Sequence, residues 1–451
     1  MPSVHTASRL FSEWLSTDLS ELDKDARRRG YFRGIVLIVV AVAVAYLIYT
    51  HLGSHHNQYD LKIYYNAVRY WLDGNSIYDY SQPDPVNNSL GFTYPPIAAI
   101  AMAPMVVLPI GVVVVVTFLA IIVCNTVLAY LYTRERISLP RFQMLIVSGV
   151  VSALSFCLLP IGQNVGFGQI NVFLALLVVA DILVLGRRRS RWFGVGIGLA
   201  MALKLTPGIF LLYLVLSKKW RALAVSVVTA VAAVIVSGIV SFSDTVEYYT
   251  RLVWESDRIG VMDNTANQSI NGFIARIVSP DNPSKAVWAA CSVIVIGIAG
   301  WRIKKAAVHQ DTLAAITLTG FLGALVSPVS WLHHIVWVLP AGVVLASYFT
   351  SIGRRTSEGP HRPTTRHLIG MVVLTAVGLF IWTVNIRAFF GLPDTGYSVI
   401  GPLKVVEASI QTLWIGAVLL MLPIRRSSPA TATPTPTDSA AAHVDGGRRS
   451  G

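Results

Sequence analysis

Asp60 stands just past the first membrane-length apolar run, in Gln58-Tyr59-Asp60-Leu61-Lys62-Ile63-Tyr64-Tyr65. The spacing from Asp60 to Arg69 allows a helix along the membrane surface with the acid in its first turn. There a carboxylate can cap the helix, or it can take a proton from a reacting hydroxyl. The local sequence fits both. Carboxylates close to hydrocarbon are costly to place and mark functional sites. The same loop carries Tyr64, Arg69, Tyr70 and Trp71, then Tyr78-Asp79-Tyr80 and Phe92-Thr93-Tyr94-Pro95-Pro96. Aromatic faces with sparse polar groups pack well on the C–H faces of sugars, and they serve equally as a membrane-interface belt.

Four more polar clusters interrupt the apolar chain. Gly162-Gln163-Asn164-Val165-Gly166-Phe167-Gly168-Gln169-Ile170-Asn171 and Asn264-Thr265-Ala266-Asn267-Gln268-Ser269-Ile270-Asn271-Gly272 are rich in amides. Neutral donors and acceptors at that density suit a hydroxyl-rich ligand, although Gly- and Asn-rich loops are also common turn chemistry. Ser327-Pro328-Val329-Ser330-Trp331-Leu332-His333-His334 and the lysine of Ala202-Leu203-Lys204-Leu205-Thr206-Pro207 complete the set. Lys204, Arg258, His333 and His334 suit an anionic lipid phosphate. Adjacent histidines on a helix do not face one point, and Cys124, Cys157 and Cys291 lie inside apolar runs without metal or disulfide spacing. No metal site is expected. Hydrolase, redox, metalloprotease and nucleotide motifs are absent from the sequence, and the cytoplasmic loops are too short and merely basic for a nucleotide-sugar site.

The elements that must position these groups are membrane helices. Of 451 residues 54% are hydrophobic and 13% charged, far from globular usage. Apolar runs at 34–50, 96–131, 143–160, 170–186, 222–242, 286–301, 312–327, 335–350, 368–385 and 399–424 approach the ~20 residues that cross ~30 Å of hydrocarbon. The net charge of +13 belongs to topology. Most Lys and Arg fall in segments that share one side if the amino terminus is cytoplasmic: Arg27 to Arg33, Arg134 to Arg141, Arg187 to Arg191, Lys218 to Arg221, Arg302 to Lys305, Arg354 to Arg366 and the tail from Arg425. That is the positive-inside pattern. Nucleic acid is not an expected partner; membrane lipids are.

The segment 193–216 lies between two basic clusters that both belong in the cytoplasm. Pro207 breaks a helix there, so a hairpin with Lys204, Thr206 and Pro207 at an outer apex is expected. Gly194, Gly196 and Gly198 precede it without a strand, as close-packing positions. The expected fold is an all-α polytopic integral membrane protein of about twelve passes with both termini cytoplasmic. Residues 1–33 form a cytoplasmic lead with an interfacial helix between Phe11 and Tyr31, 34–426 the membrane domain, and 427–451 a disordered cytoplasmic tail. The outer segments are 51–95, 161–169, 243–285, 328–334 and 386–398.

In this order the clusters resemble glycosyltransferase family 87, the polyprenol-phosphate-mannose-dependent α-1,2-mannosyltransferases of mycobacteria and their relatives. The strings that carry the resemblance are Asp60-Leu61-x-x-Tyr64, Phe92-Thr93-Tyr94-Pro95-Pro96, Gly168-Gln169-Ile170-Asn171, Lys204-Leu205-Thr206-Pro207, Asn267-Gln268-Ser269-x-Asn271-Gly272 and Ser327-Pro328-x-Ser330-Trp331-x-His333-His334. The resemblance implies a GT-C membrane fold and no cofactor beyond a lipid-linked co-substrate, polyprenyl-phosphate mannose. It also implies a mannosylated glycolipid acceptor, a phosphatidylinositol mannoside or lipomannan, at the outer face of the plasma membrane. It makes Asp60 the catalytic base of an inverting transfer. Lys204 with His333 or His334 would clamp the donor phosphate, with Arg69 and Arg258 as further candidates. Tyr64, Tyr94, Gln169, Asn171, Asn267, Gln268, Asn271 and Trp331 would hold sugar or acceptor.

A transporter or flippase of a polyprenyl-linked sugar would also need many spans and scattered polar groups. Such a protein carries them along a path through the bilayer, whereas here they crowd one face. Asp181, the main intramembrane acid, sits toward the cytoplasmic end, where an interface position accounts for it.

Overall fold

The computed structural model describes residues 17–18, 22–52, 56–84, 86–279, 281–355, 364–395 and 401–425. The tail expected to be disordered, residues Trp14, Leu15 and Leu19 of the expected interfacial helix, and 396–398 of the last outer segment lie outside the described residues. Among the described residues the regular structure is helical apart from one small hairpin, Ser81–Asp84 antiparallel to Asn88–Gly91, with Gln82 opposite Leu90.

Among the described residues five helices are long and apolar enough to cross a membrane: Lys24–His51, Ile110–Arg136, Trp220–Val240, Lys285–Val308 and Thr365–Thr383. Two bent pairs raise the number to seven, Arg141–Ser155 with Leu159–Phe167 at 74° and Pro402–Ala408 with Ile410–Met421 at 60°. This is fewer full-length spans than the hydropathy suggests. The run 96–131 divides at Pro104 and Pro109 into Pro96–Met102, a short turn, and Ile110–Arg136. Asn171–Ala180 and Thr312–Val326 are also short. The Thr312–Val326 helix is almost wholly buried by its neighbours, so its length is set by the polar turns at its ends and not by lipid.

The segment 193–216 folds back on itself. Helix Val195–Leu203 ends at Lys204, whose backbone is extended, and Pro207 starts a tight turn that leads into Phe210–Leu216. Pro is tolerated in such a first turn because that N–H has no partner to lose. The Arg221 guanidinium donates to the Ser190 carbonyl at 2.9 Å, which puts both basic clusters on one side. Val195–Leu203 runs parallel to Trp220–Val240 in close contact. A Cβ at Gly198 would lie 2.6 Å from both the Ser226 carbonyl oxygen and Thr229 Cβ. Asp181 is only 2% exposed and accepts the backbone N–H groups of Gly194 (2.9 Å) and Ile197 (3.0 Å). It anchors the start of the hairpin helix, where a carboxylate meets the positive end of the dipole, and so replaces the expected interface role.

Segment 51–95, expected on the outer side, contains the expected surface helix, Tyr59–Leu72. Its start is pinned by Gln58, whose N–H donates to the Gly166 carbonyl at 2.8 Å and whose side-chain amide donates to the Val165 carbonyl at 2.7 Å. Segment 161–169 is largely helix, Leu159–Phe167, ended by Gly168 at φ +70°. A side chain there would be strained, and its Cβ would stand 2.6 Å from Leu61 Cβ. Asp244, in helix Phe242–Thr250, accepts from Trp71 Nε1 at 3.0 Å and Ser76 Oγ at 2.7 Å. That carboxylate ties two outer segments together. At the opposite end, the start of Thr312–Val326 is held by Asp311, which pairs with Arg136 at 2.7 Å and accepts the Arg425 N–H at 2.7 Å.

Single cysteines at Ser190 and Lys219 should react with a membrane-impermeant maleimide from one and the same side of oriented vesicles. Labelling from opposite sides would replace the hairpin by a kinked span.

Candidate active site

The polar turns converge on one cavity of about 670 Å³. Asp60, Tyr64, Tyr94, Gln169, Lys204, Arg258, Trp331, His333 and His334 all line it. Asp60 makes no capping bond; the helix cap is Gln58, in the left-handed region. The carboxylate instead accepts the Gln169 side-chain amide through Oδ2, which sets the capping role aside.

A hydrogen-bond chain runs on from there. Gln169 Oε1 accepts from the Tyr94 hydroxyl at 3.1 Å, and Tyr94 and Tyr64 hydroxyls are 2.8 Å apart. The Lys204 amine lies 3.3 Å from the Tyr94 hydroxyl, 2.9 Å from Asn171 Oδ1 and 3.0 Å from His334 Nε2. Asn171 sits behind the cavity wall and holds the lysine. His334 Nδ1 accepts the Trp331 backbone N–H at 3.2 Å. His333 is 5% exposed, and its Nε2 has no hydrogen-bond partner.

Burial pushes the Asp60 carboxyl up to about 6, although the Gln169 amide and Lys204 both favour its ionised form. Burial pulls the Lys204 amine down to about 7, with Asp60 holding it up. Burial and then the neighbouring Lys204 hold His333 and His334 well below the usual imidazole range. A carboxyl raised to about 6 and an amine lowered to about 7 on one cavity wall have the balance of acidity that proton transfer near neutrality requires.

Besides Asn171, four expected site residues do not line the cavity. Arg69 is exposed, packs over the Tyr65 ring at 5.9 Å and does not line the cavity. Asn267 and Gln268 are fully buried. Asn267 Oδ1 accepts the Ser330 N–H at 2.9 Å, and its amide donates to the Met262 carbonyl at 2.9 Å. Gln268 donates to the Ala408 carbonyl at 2.8 Å and accepts from Thr412 Oγ1 at 2.7 Å. Asn271 donates to the Pro328 carbonyl at 3.3 Å. These amides brace the Ser327–His334 turn from behind and do not line the cavity. Arg276, also fully buried, joins the brace through the Asn264 and Asn267 carbonyls and Ser409 Oγ. Arg258 does face the cavity, with its guanidinium on the Phe92 carbonyl at 2.6 Å and 5.2 Å from the Tyr78 ring centre.

Sequence reasoning missed His56, Tyr59, Asp84 and Asn87, which line the same cavity. His56 stacks on Phe167 with ring centres 3.6 Å apart. Asp84 Oδ1 accepts from the Val86 and Asn87 backbone N–H groups at 3.0 and 2.7 Å. The Pro83-Asp84-Pro85 string is a turn signal, but nothing in it says which way the turn points.

The profile of glycosyltransferase family 87 matches residues 92–328. Asp60, His333 and His334 therefore fall outside the matched stretch, although the fold brings them to it. A polyprenol-phosphate-mannose-dependent alpha-(1-2)-phosphatidylinositol mannoside mannosyltransferase of Mycobacterium tuberculosis is 32% identical over 324 residues, 69% of this chain and 75% of its own. The protein of the same description from Mycolicibacterium smegmatis is 35% identical over 317 residues, 65% and 71% of the two chains. A polyprenol-phosphate-mannose-dependent alpha-(1-2)-phosphatidylinositol pentamannoside mannosyltransferase of Mycobacterium tuberculosis is 30% identical over 402 residues, 85% and 87%. No solved structure matches.

Because the Asp60 carboxyl is raised from 3.8 to about 6 in the fold, its ionisation destabilises the folded state. That penalty is absent below pH 4, grows through the interval up to about 6 and is complete above it. Asp60→Asn should therefore raise the unfolding temperature in detergent at pH 8, by about 1–3 kcal/mol of stability, and the gain should vanish near pH 4. A difference that does not change with pH would mean that burial does not raise this carboxyl.

Proposed function

The chain belongs to glycosyltransferase family 87, and from that membership we propose that it transfers mannose from polyprenyl-phosphate mannose to a phosphatidylinositol mannoside or lipomannan. The transfer inverts the anomeric carbon, forms an α-1,2 linkage and takes place at the outer face of the plasma membrane. The observation that carries the reading is the placement of Asp60 and Lys204 on one cavity wall, joined through Gln169 and Tyr94.

Inversion needs one in-line displacement, with a base on the acceptor hydroxyl and charge stabilisation at the departing phosphate. Asp60 supplies the base. Lys204, His333 and His334 supply a cluster of nitrogen donors on the same cavity, in place of a metal ion. The apolar lining beside them, Leu205, Ile209, Val326 and Leu332, suits the first isoprene units of the donor. Tyr59, Asp84 and Asn87 offer polar contacts for the acceptor sugar. The outer-face assignment is supported by the charge pattern. Helix Thr312–Val326 has the Arg136–Asp311 pair at one end and the Ser327–His334 turn at the other, and the basic end belongs to the cytoplasm. About twelve passes with cytoplasmic termini, counting the short buried helices and the hairpin, agree with that orientation.

Purified protein given polyprenyl-phosphate mannose and a panel of mannosylated acceptors should form an α-1,2 product. Asp60→Asn should lower turnover by about 10²–10⁴-fold while the protein remains folded. Full turnover by a folded Asp60→Asn variant would remove the base assignment, and movement of the intact donor across vesicles without transfer would favour the flippase reading.

A further inference from the structure

The hydrogen-bond pattern around Lys204 constrains its protonation. Its amine has three close neighbours, Asn171 Oδ1, the Tyr94 hydroxyl and His334 Nε2. The first must accept, because the other face of the Asn171 amide donates to Asn164 Oδ1 and Gln169 Oε1, each at 3.3 Å. Tyr94 accepts as well, since its own hydrogen goes to Gln169 Oε1, whose orientation is set by the donation of Nε2 to Asp60, or to the Tyr64 hydroxyl. Two amine hydrogens are thus committed.

The third neighbour decides the matter. His334 Nδ1 accepts the Trp331 backbone N–H, so the single hydrogen of the neutral imidazole sits on Nε2 and points at the lysine. An ammonium has three donors and no acceptor, and would meet that N–H head on. A neutral amine has a lone pair to receive it, and every hydrogen then has a partner. Among the described residues no carboxylate makes an ion pair with Lys204: Asp60 lies beyond Gln169, and the other charged or titratable groups of the cavity wall near it are Tyr64, Tyr94, His56, His333 and, across the cavity, Arg258. The burial that pulls the amine down to about 7 acts in the same direction.

We propose that Lys204 is an uncharged amine in the empty cavity, takes up a proton when the phosphodiester of the lipid donor arrives, and returns that proton to the phosphate as it departs. This rests on the donor reading given above and assigns Lys204 as the acid that complements the Asp60 base. The atoms balance. The acceptor oxygen bonds to the anomeric carbon and gives its proton to Asp60, while the bond from that carbon to the phosphate oxygen breaks with its electron pair on the phosphate. The proton on Lys204 passes to that oxygen, giving a polyprenyl hydrogen phosphate monoanion and a neutral amine. Asp60 then releases to water one proton, the equivalent of the one drawn from water on binding.

The test is titration calorimetry with a polyprenyl methyl phosphodiester, which has no group titrating near neutrality, in buffers of different ionisation enthalpy at pH 8. Wild type should take up about one proton per diester bound, and so should Asp60→Asn, which excludes the carboxylate as the source. Lys204→Arg, whose guanidinium cannot release a proton, should bind the diester with heats independent of buffer and lose about 10²-fold or more in turnover. Buffer-independent heats with wild type would overturn the proposal while leaving the donor site intact, as would uptake that disappears in Asp60→Asn. A diester that does not bind wild type would overturn the donor reading itself.

Discussion

One amide holds the Asp60 carboxylate and the Lys204 amine apart. Gln169 donates to the Asp60 carboxylate and, through Tyr94, stands between it and the Lys204 amine. Were the two charges to meet directly in so buried a place, each would quench the other, since an ion pair at low dielectric is far stronger than in water. The carboxylate would be a poor base and the amine a fixed cation. The amide supplies hydrogen bonds without charge, and burial then raises the carboxyl and lowers the amine.

Much of the fold serves that separation. Gln169 follows Gly168, whose left-handed turn lets the end of Leu159–Phe167 press against Leu61 and Gln58 at the start of the Asp60 helix. Lys204 arrives from the other direction on a hairpin whose first helix is fastened by Asp181. The histidine turn is braced by Asn267 from behind. Groups from widely separated parts of the chain are thus fixed by buried amides and carboxylates, which must be satisfied once water is excluded.

What the sequence revealed follows the range of the forces involved. The Asp60 helix was legible because its spacing and aromatic face are local. The 193–216 hairpin was legible because two basic clusters and one proline leave few ways to run the chain. The bend after Ser155, which turns an expected loop into helix Leu159–Phe167, was not, because packing alone sets it. Asn267 and Gln268 were misplaced for a related reason. An amide that binds sugar and an amide that ties two loops have the same local sequence, and only the neighbours, Ser330 and Thr412, tell them apart. His56 left no signal because its partner, Phe167, is distant in the chain.

The brace behind the histidine turn bears on how the protein is made. Gln268 bonds to Ala408 and Thr412, and Arg276 bonds to Ser409. All three partners come from the bent pair Pro402–Ala408 and Ile410–Met421, near the end of the membrane domain. A chain emerging in order from the ribosome presents Arg276 and Gln268 with their local partners, the Asn264, Asn267 and Thr265 carbonyls, long before these three distant ones exist, and polar groups left short of bonds in a buried place are costly. Until synthesis is almost finished, segment 264–276 thus has only its local hydrogen bonds, and the brace behind the histidine turn is completed by the last helices of the chain.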